Sequence, residues 1–308
     1  MERMPIGVFD SGLGGLTVAR EIARALPEES LVYLGDTARC PYGPRSSDEV
    51  RRFVLQIGSF LAAHPVKLIV IACNTATAAG LALAQRVFDV PVIGVVEPGA
   101  RAAVMATRNR RVGVIGTVGT IDSGAYSRSV RAIDAGVTVF SAAAPRFVDI
   151  VEEGLRRGSG PVEDLLADSA SVFVRPSFHE MARDYLDPLK RSGIDTLVLG
   201  CTHFPLLAEA ISSVTGPRVA LISSAAETAR EVAETLARRD HLAPPGSIPQ
   251  HRFLTTGDAE EFERLGSRVF GSDTGTVDVV TLAELEALAD SRLAAMDEAV
   301  SSEEASCA

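Results

Sequence analysis

The chain has 308 residues, of which 46% are hydrophobic and 23% charged, and it carries a net charge of −10. That length suits one large or two medium domains with full cores, and that charge argues against a nucleic-acid groove or an anionic membrane surface. No apolar run approaches the ~18 residues of a membrane span, and four cysteines without a CxxC pair are few for a disulfide scaffold. With no basic-then-apolar leader at its N-terminus, the chain is expected in the cytoplasm, where thiols stay reduced.

Residues 5–9 read as a strand that runs into the loop Asp10-Ser11-Gly12-Leu13-Gly14-Gly15. A helix follows over 16–26, with Val18, Ile22 and Ala25 on one face and Pro27 after its end. A second strand, 31–35, leads into a long loop, 36–43, rich in functional groups. Ser46 and Glu49 form a capping box, each satisfying a free backbone N–H. The helix they open buries Val50, Phe53, Val54, Ile57 and Leu61. Residues 68–72 are a short branched apolar run ending at Cys73. Such a run reads as a strand buried on both faces of a parallel sheet. A helix near 75–87 and a strand at 91–96 follow, the latter ending in Glu97-Pro98-Gly99.

A second round begins at Arg111, with a strand to Gly116, a small-residue loop and a helix near 122–133. Strand 137–141 and a helix holding Val151-Glu152-Glu153-Gly154 come next. Residues 158–193 read as helix and loop. A strand then ends at Cys201. Thus IGVFDSGLGG pairs with VGVIGTVGT, and LIVIACNT with LVLGCTH, in the same order. The fold class is α/β: two pseudo-symmetric halves, each a mostly parallel sheet flanked by helices, with a cleft between them. Beyond residue 210, a strand at 218–222 precedes a capping box at Ser224 and Glu227, a Pro-rich linker at 243–249, a strand at 252–255 and a helix from Asp258. The expected domains are 1–97 with 209–290, and 98–208. An acidic, non-periodic, disordered tail is expected over 291–308.

Open α/β sheets hold ligands beyond the carboxyl ends of their strands. Cys73 and Cys201 both stand there, in matched positions. Two buried packing cysteines are the bland alternative; the match makes a pair of acid–base thiols the stronger reading. A disulfide between facing halves stays open, although a reducing compartment disfavours it. Cys201-x-His203 has no second pair at zinc spacing, so no metal is expected. His203 and Asp10 are placed to assist the thiols as bases. Taken singly, the former is an ordinary loop histidine and the latter a helix cap. Gly12-x-Gly14-Gly15 fails the dinucleotide fingerprint, because Thr17 occupies its sixth position. What remains is a tight turn at a helix N-terminus, suited to an anion, a carboxylate as well as a phosphate. Ser11, Thr75, Thr117 and Thr202 would add hydroxyl donors. Pyridoxal phosphate needs a lysine, and neither Lys67 nor Lys190 looks available, so no cofactor is expected.

The segments IGVFDSGLGGLTV, YLGDTARCPYG, ACNTATA, VGVIGT, VEEG, LVLGCTHFPLL and TTGD run from residue 6 to 258. In these the chain resembles the glutamate racemases of the aspartate/glutamate racemase superfamily. The resemblance implies a cofactor-independent enzyme that supplies D-glutamate for the bacterial cell wall. It implies Cys73 and Cys201 on opposite faces of the α-carbon, the former deprotonating D-glutamate and the latter L-glutamate. Asp10 would assist Cys73, and Glu152 and His203 would assist Cys201. Asp10, Ser11, Tyr42, Gly43, Asn74, Thr75, Thr117, Thr202 and His203 would contact substrate. A homodimer is implied, with no nucleic-acid or membrane partner. Two departures stand out: a segment at 158–193 longer than the family's, and Ala144 where many relatives have cysteine.

Overall fold

The computed structural model describes residues 1–157 and 176–306. In the first half, β1 (Ile6–Asp10), β2 (Leu31–Gly35), β3 (Leu68–Ile71) and β4 (Val92–Gly94) alternate with α1 (Leu16–Ala25), α2 (Ser47–Ala63) and α3 (Asn74–Val87). Helix α4 (Val96–Ala106) leads to the second half. There the chain forms β5 (Arg111–Gly116), α5 (Val118–Asp122), α6 (Ala125–Ile133), β6 (Thr138–Ala143) and α7 (Arg146–Arg157). It continues through α8 (Pro176–Arg191), β7 (Thr196–Gly200), α9 (Ala208–Thr215) and β8 (Ala220–Ser223). Helix α10 (Ser224–Arg238) returns to the first half, which is completed by β9 (Arg252–Thr255), α11 (Ala259–Phe270), β10 (Val277–Val279) and α12 (Leu282–Ser306).

All strands pair in parallel. The first sheet has the order β10-β9-β2-β1-β3-β4 and the second β6-β5-β7-β8. Removing β9 and β10 leaves two sheets of identical order, the architectural form of the repeat seen in the sequence. Each central strand, β1 or β5, lies beside a strand that leads into a cysteine, β3 into Cys73 and β7 into Cys201. Burial explains why these strands read as apolar runs: every residue of β1, β3 and β7 is buried. The helices cover both faces with amphipathic stripes, as in α1, which buries Leu16, Val18, Ala19 and Ile22.

Several expectations are corrected. The second sheet does not stop at 208, because β8 pairs with β7 and so belongs to it. The crossing back comes at α10, which packs on both α1 and α4. Glu97-Pro98-Gly99 is not a strand end but the first turn of α4, where a proline costs no hydrogen bond. Ser223, not Ser224, caps α10, accepting from the Ala225 N–H at 3.3 Å. Helix α12 runs through the stretch expected to be disordered from 291. Its alanine, leucine and glutamate are strong helix formers even without an apolar stripe, and Leu285 and Ala289 are buried near its start. Of the extra residues at 158–193, those at 158–175 lie outside the described residues; the rest form α8 and the turn before β7.

The two lysines serve structure. Lys67 is fully buried, paired with Glu29, and donates to the Glu2 and His241 carbonyls at 2.8 Å each. Lys190 donates to the Val214 carbonyl at 2.6 Å.

Candidate active site

The two sheets present their carboxyl ends to one another. Between them Ser11, Cys40, Pro41, Tyr42, Gly43, Cys73, Asn74, Thr75, Thr117, Val148, Cys201, Thr202 and His203 line a single cleft. Its volume is about 20 Å³, on the scale of one or two water molecules. Cys73 and Cys201 are both free thiols and both buried. The expected site residues other than Asp10 and Glu152 line this cleft. Asp10 lies fully buried beneath it, and Glu152 lines an adjoining cavity of about 190 Å³ that shares Cys40 with it.

On the Cys73 side, the thiol lies 3.7 Å from Ser11 Oγ, toward which it donates. Burial first, and the Asp10 charge second, push this thiol up to about 12. Burial also raises the Asp10 carboxyl above its ordinary range, against the opposing pull of His203 and the Gly15 and Gly12 N–H groups. The Gly12 N–H donates to Asp10 Oδ2 at 3.0 Å, and Thr202 Oγ1 approaches Oδ1 at 3.4 Å. The anion held by the glycine turn is therefore the chain's own Asp10 carboxylate, rather than a carboxylate from outside. The turn needs glycine for a close approach: a Cβ on Gly14 would meet Thr202 Oγ1 at 2.4 Å and His203 Nδ1 at 2.7 Å.

On the Cys201 side, the sulfur lies 3.7 Å from His203 Nδ1. The other ring nitrogen is 3.6 Å from Glu152 Oε1, an ion-pair contact just beyond hydrogen-bond reach. Burial alone would favour the neutral ring. The Cys201 contact and the Glu152 carboxylate outweigh it and raise His203 to about 10. Burial opposes ionisation of Glu152 too, but His203 and then Arg156 hold its carboxyl below the usual range. Arg156 Nη2 reaches Glu152 Oε2 at 3.3 Å, and its Nε reaches Glu261 Oε1, on α11 of the first half, at 3.1 Å.

The seam between the halves is polar and bonded. Thr75 Oγ1 meets Thr117 Oγ1 at 2.8 Å and Thr120 Oγ1 at 3.2 Å. The Gly119 N–H donates to the Gly43 carbonyl at 3.0 Å. Tyr42 lines the cleft, but its hydroxyl is bonded to the Asp36 carboxylate, which also takes Arg39 Nε at 2.7 Å and Thr256 Oγ1 at 2.8 Å. Sequence reasoning missed Asp36, Cys40, Tyr126, Arg156 and Glu261. Only Arg156 carried a local signal, four residues beyond Glu152 on one helix.

Two facing α/β sheets, each leading a strand into a buried thiol beside an acid or an imidazole, place groups able to give and take protons on the walls of one cleft. Residues 6–232 match the family model described as Asp/Glu/Hydantoin racemase. The chain is similar to a glutamate racemase of Exiguobacterium sibiricum, 50% identical over 263 residues, 85% of this chain and 90% of that one. Among solved structures it resembles a glutamate racemase isoform from Bacillus anthracis, with a TM-score of 0.82 and 45% identity, covering 92% of this chain and 99% of the other. A glutamate racemase from Francisella tularensis, solved with D-glutamate, gives a TM-score of 0.79 at 31% identity over the same shares. The chain belongs to the Asp/Glu/Hydantoin racemase family.

Proposed function

We propose that this protein is a cofactor-independent glutamate racemase that uses Cys73 and Cys201 as two opposed acid–base groups. The observation that carries this reading is the pair of free, buried thiols at matched strand ends on the walls of one cleft. A single base tends to return a proton to the face it came from, whereas two facing thiols can remove it from one side and supply one from the other. Cys201 takes the α-proton of L-glutamate while Cys73 delivers its own; the D-enantiomer reverses the roles. Asp10 and Ser11 serve the Cys73 side, and His203 with Glu152 serves the Cys201 side. Asn74, Thr75, Thr117, Thr202 and the loop of Tyr42 and Gly43 hold the substrate carboxylates and amine. Names of relatives at 46–50% identity support glutamate as substrate, as does the D-glutamate complex of the Francisella protein.

The product would feed peptidoglycan synthesis in the cytoplasm, and the enzyme would work as a homodimer. Purified protein without added cofactor should erase the circular dichroism of L-glutamate at equilibrium. Turnover of aspartate but not glutamate would reassign the substrate; inactivity of the folded protein on both would remove the racemase reading.

A further inference from the structure

Asn74 has an unfinished hydrogen-bond account. It is buried, and its Nδ2 atom has no partner within the protein. An unsatisfied buried amide donor is costly unless something else completes it. On its other side, Asn74 Oδ1 accepts from the Tyr126 hydroxyl at 2.7 Å. Tyr126 is 2% exposed and stands on α6, in the opposite half of the molecule.

An amide's two ends differ only by their partners, so the direction of this bond matters. A phenol can donate or accept. Here Ser224 lies close enough to the phenol for its hydroxyl to donate to the phenol oxygen, which favours the ionised form. Ser224 is available because Ser223 caps α10 in its place. The packing is tight: a Cβ on Gly99 would meet Ser224 Cβ at 3.1 Å and the Tyr126 hydroxyl at 3.2 Å. With the serine donating to its oxygen, the phenol turns its proton to Asn74 Oδ1. That leaves the two Nδ2 protons on the wall of the cleft.

We infer that Tyr126, backed by Ser224, is a positioning residue that fixes the amide of Asn74 with its N–H donors toward the substrate, so that the cleft selects a carboxylate at that point. With the amide reversed, the wall would offer a carbonyl oxygen, which repels a carboxylate. This rests on the racemase reading and adds to it a cross-domain residue that acts through Asn74 without touching substrate.

The test is a double-mutant cycle on full-length protein with Tyr126→Phe and Asn74→Ala, using glutamate as the probe. Tyr126→Phe should raise KM about tenfold and change kcat less than about threefold. In the Asn74→Ala background the same change should do nothing further. Ser224→Ala, which keeps both the ring and the amide, should shift KM in the same direction by about two- to threefold. An unchanged KM in Tyr126→Phe, or effects that multiply independently, would overturn the inference. A wild type that fails to racemise glutamate defeats the racemase reading instead. The Asn74 side-chain amide then still decides the tether by NMR: two sharp, separate N–H signals in wild type that broaden in Tyr126→Phe support it, and identical signals in both overturn it.

Discussion

The two halves carry the same four-strand order and the same thiol position, yet surround their thiols with opposite charge. Where the first half ends β1 in Asp10, the second ends β5 in Gly116. Where the first half follows its cysteine with Asn74 and Thr75, the second follows with Thr202 and His203. Cys73 therefore sits beside a buried acid that opposes its ionisation. Cys201 sits beside an imidazole whose proton affinity is raised by the thiol contact itself and then by the Glu152 carboxylate. The strand order is repeated; the electrostatics are not. On the proposed mechanism, this difference suits Cys73 to the role of proton donor in the resting protein.

The largest expected effect is loss of either thiol. Cys73→Ala and Cys201→Ala should each remove racemisation by about 10⁴-fold or more, with an unchanged far-UV circular dichroism spectrum. Normal turnover in either variant would dissolve the comparison, since one thiol would then suffice. Next is a change that strikes the Cys201 side directly and reaches Asp10 only through Thr202. Gly14→Ala drives a methyl group into Thr202 and His203 and should cut kcat by roughly 10²-fold while Cys73 keeps its alkylation rate. Equal loss at both thiols would mean that the sides are not separable.

A pH prediction follows from the histidine. Its folded pKa is raised from 6.5 to about 10, so its stabilising share is complete below 6.5 and is lost as pH rises through 10. Cys73, raised from 9.0 to about 12, adds a loss of the same sign that begins only above 9.0. Unfolding followed between pH 6.5 and 9 therefore excludes the thiols and reads the histidine together with Asp10, whose raised carboxyl adds a loss of the same sign. ¹⁵N NMR should show His203 still protonated across that window, and a ring that titrates near 6.5 would cancel the proposed asymmetry. The smallest effect belongs to the bridge from Arg156 to Glu261. Both side chains are about half exposed, where an ion pair contributes little. Glu261→Gln should lower kcat about two- to threefold, an effect that shrinks with added salt.

Much of this was legible in the sequence because buried parallel strands are written as continuous apolar runs. Residues 68–72 and 196–200 announced their own ends, and the cysteines stood there. The repeat was legible for the same reason. Misplacements came where the local signal was ambiguous by one residue or silent. Ser223 and Ser224 are both good caps, and only tertiary packing assigns one to the helix and the other to Tyr126. β10 has three residues around an exposed Asp278 and offers no apolar run to read. Tyr42 stands in the expected loop, but its hydroxyl is taken by Asp36. No spacing rule joins Tyr126 to Asn74, 52 positions away. Contacts that cross the cleft belong to the packing of two halves, which periodicity within one half does not encode.

The most direct measurement is proton NMR of L-glutamate racemised in D₂O by the wild-type protein, read in the first few per cent of turnover. Two opposed thiols predict D-glutamate that carries deuterium at the α-carbon from the outset, while the remaining L-glutamate keeps its proton. Product that retains the original proton, or L-glutamate that exchanges as fast as it inverts, would contradict the two-sided account and point to a single base.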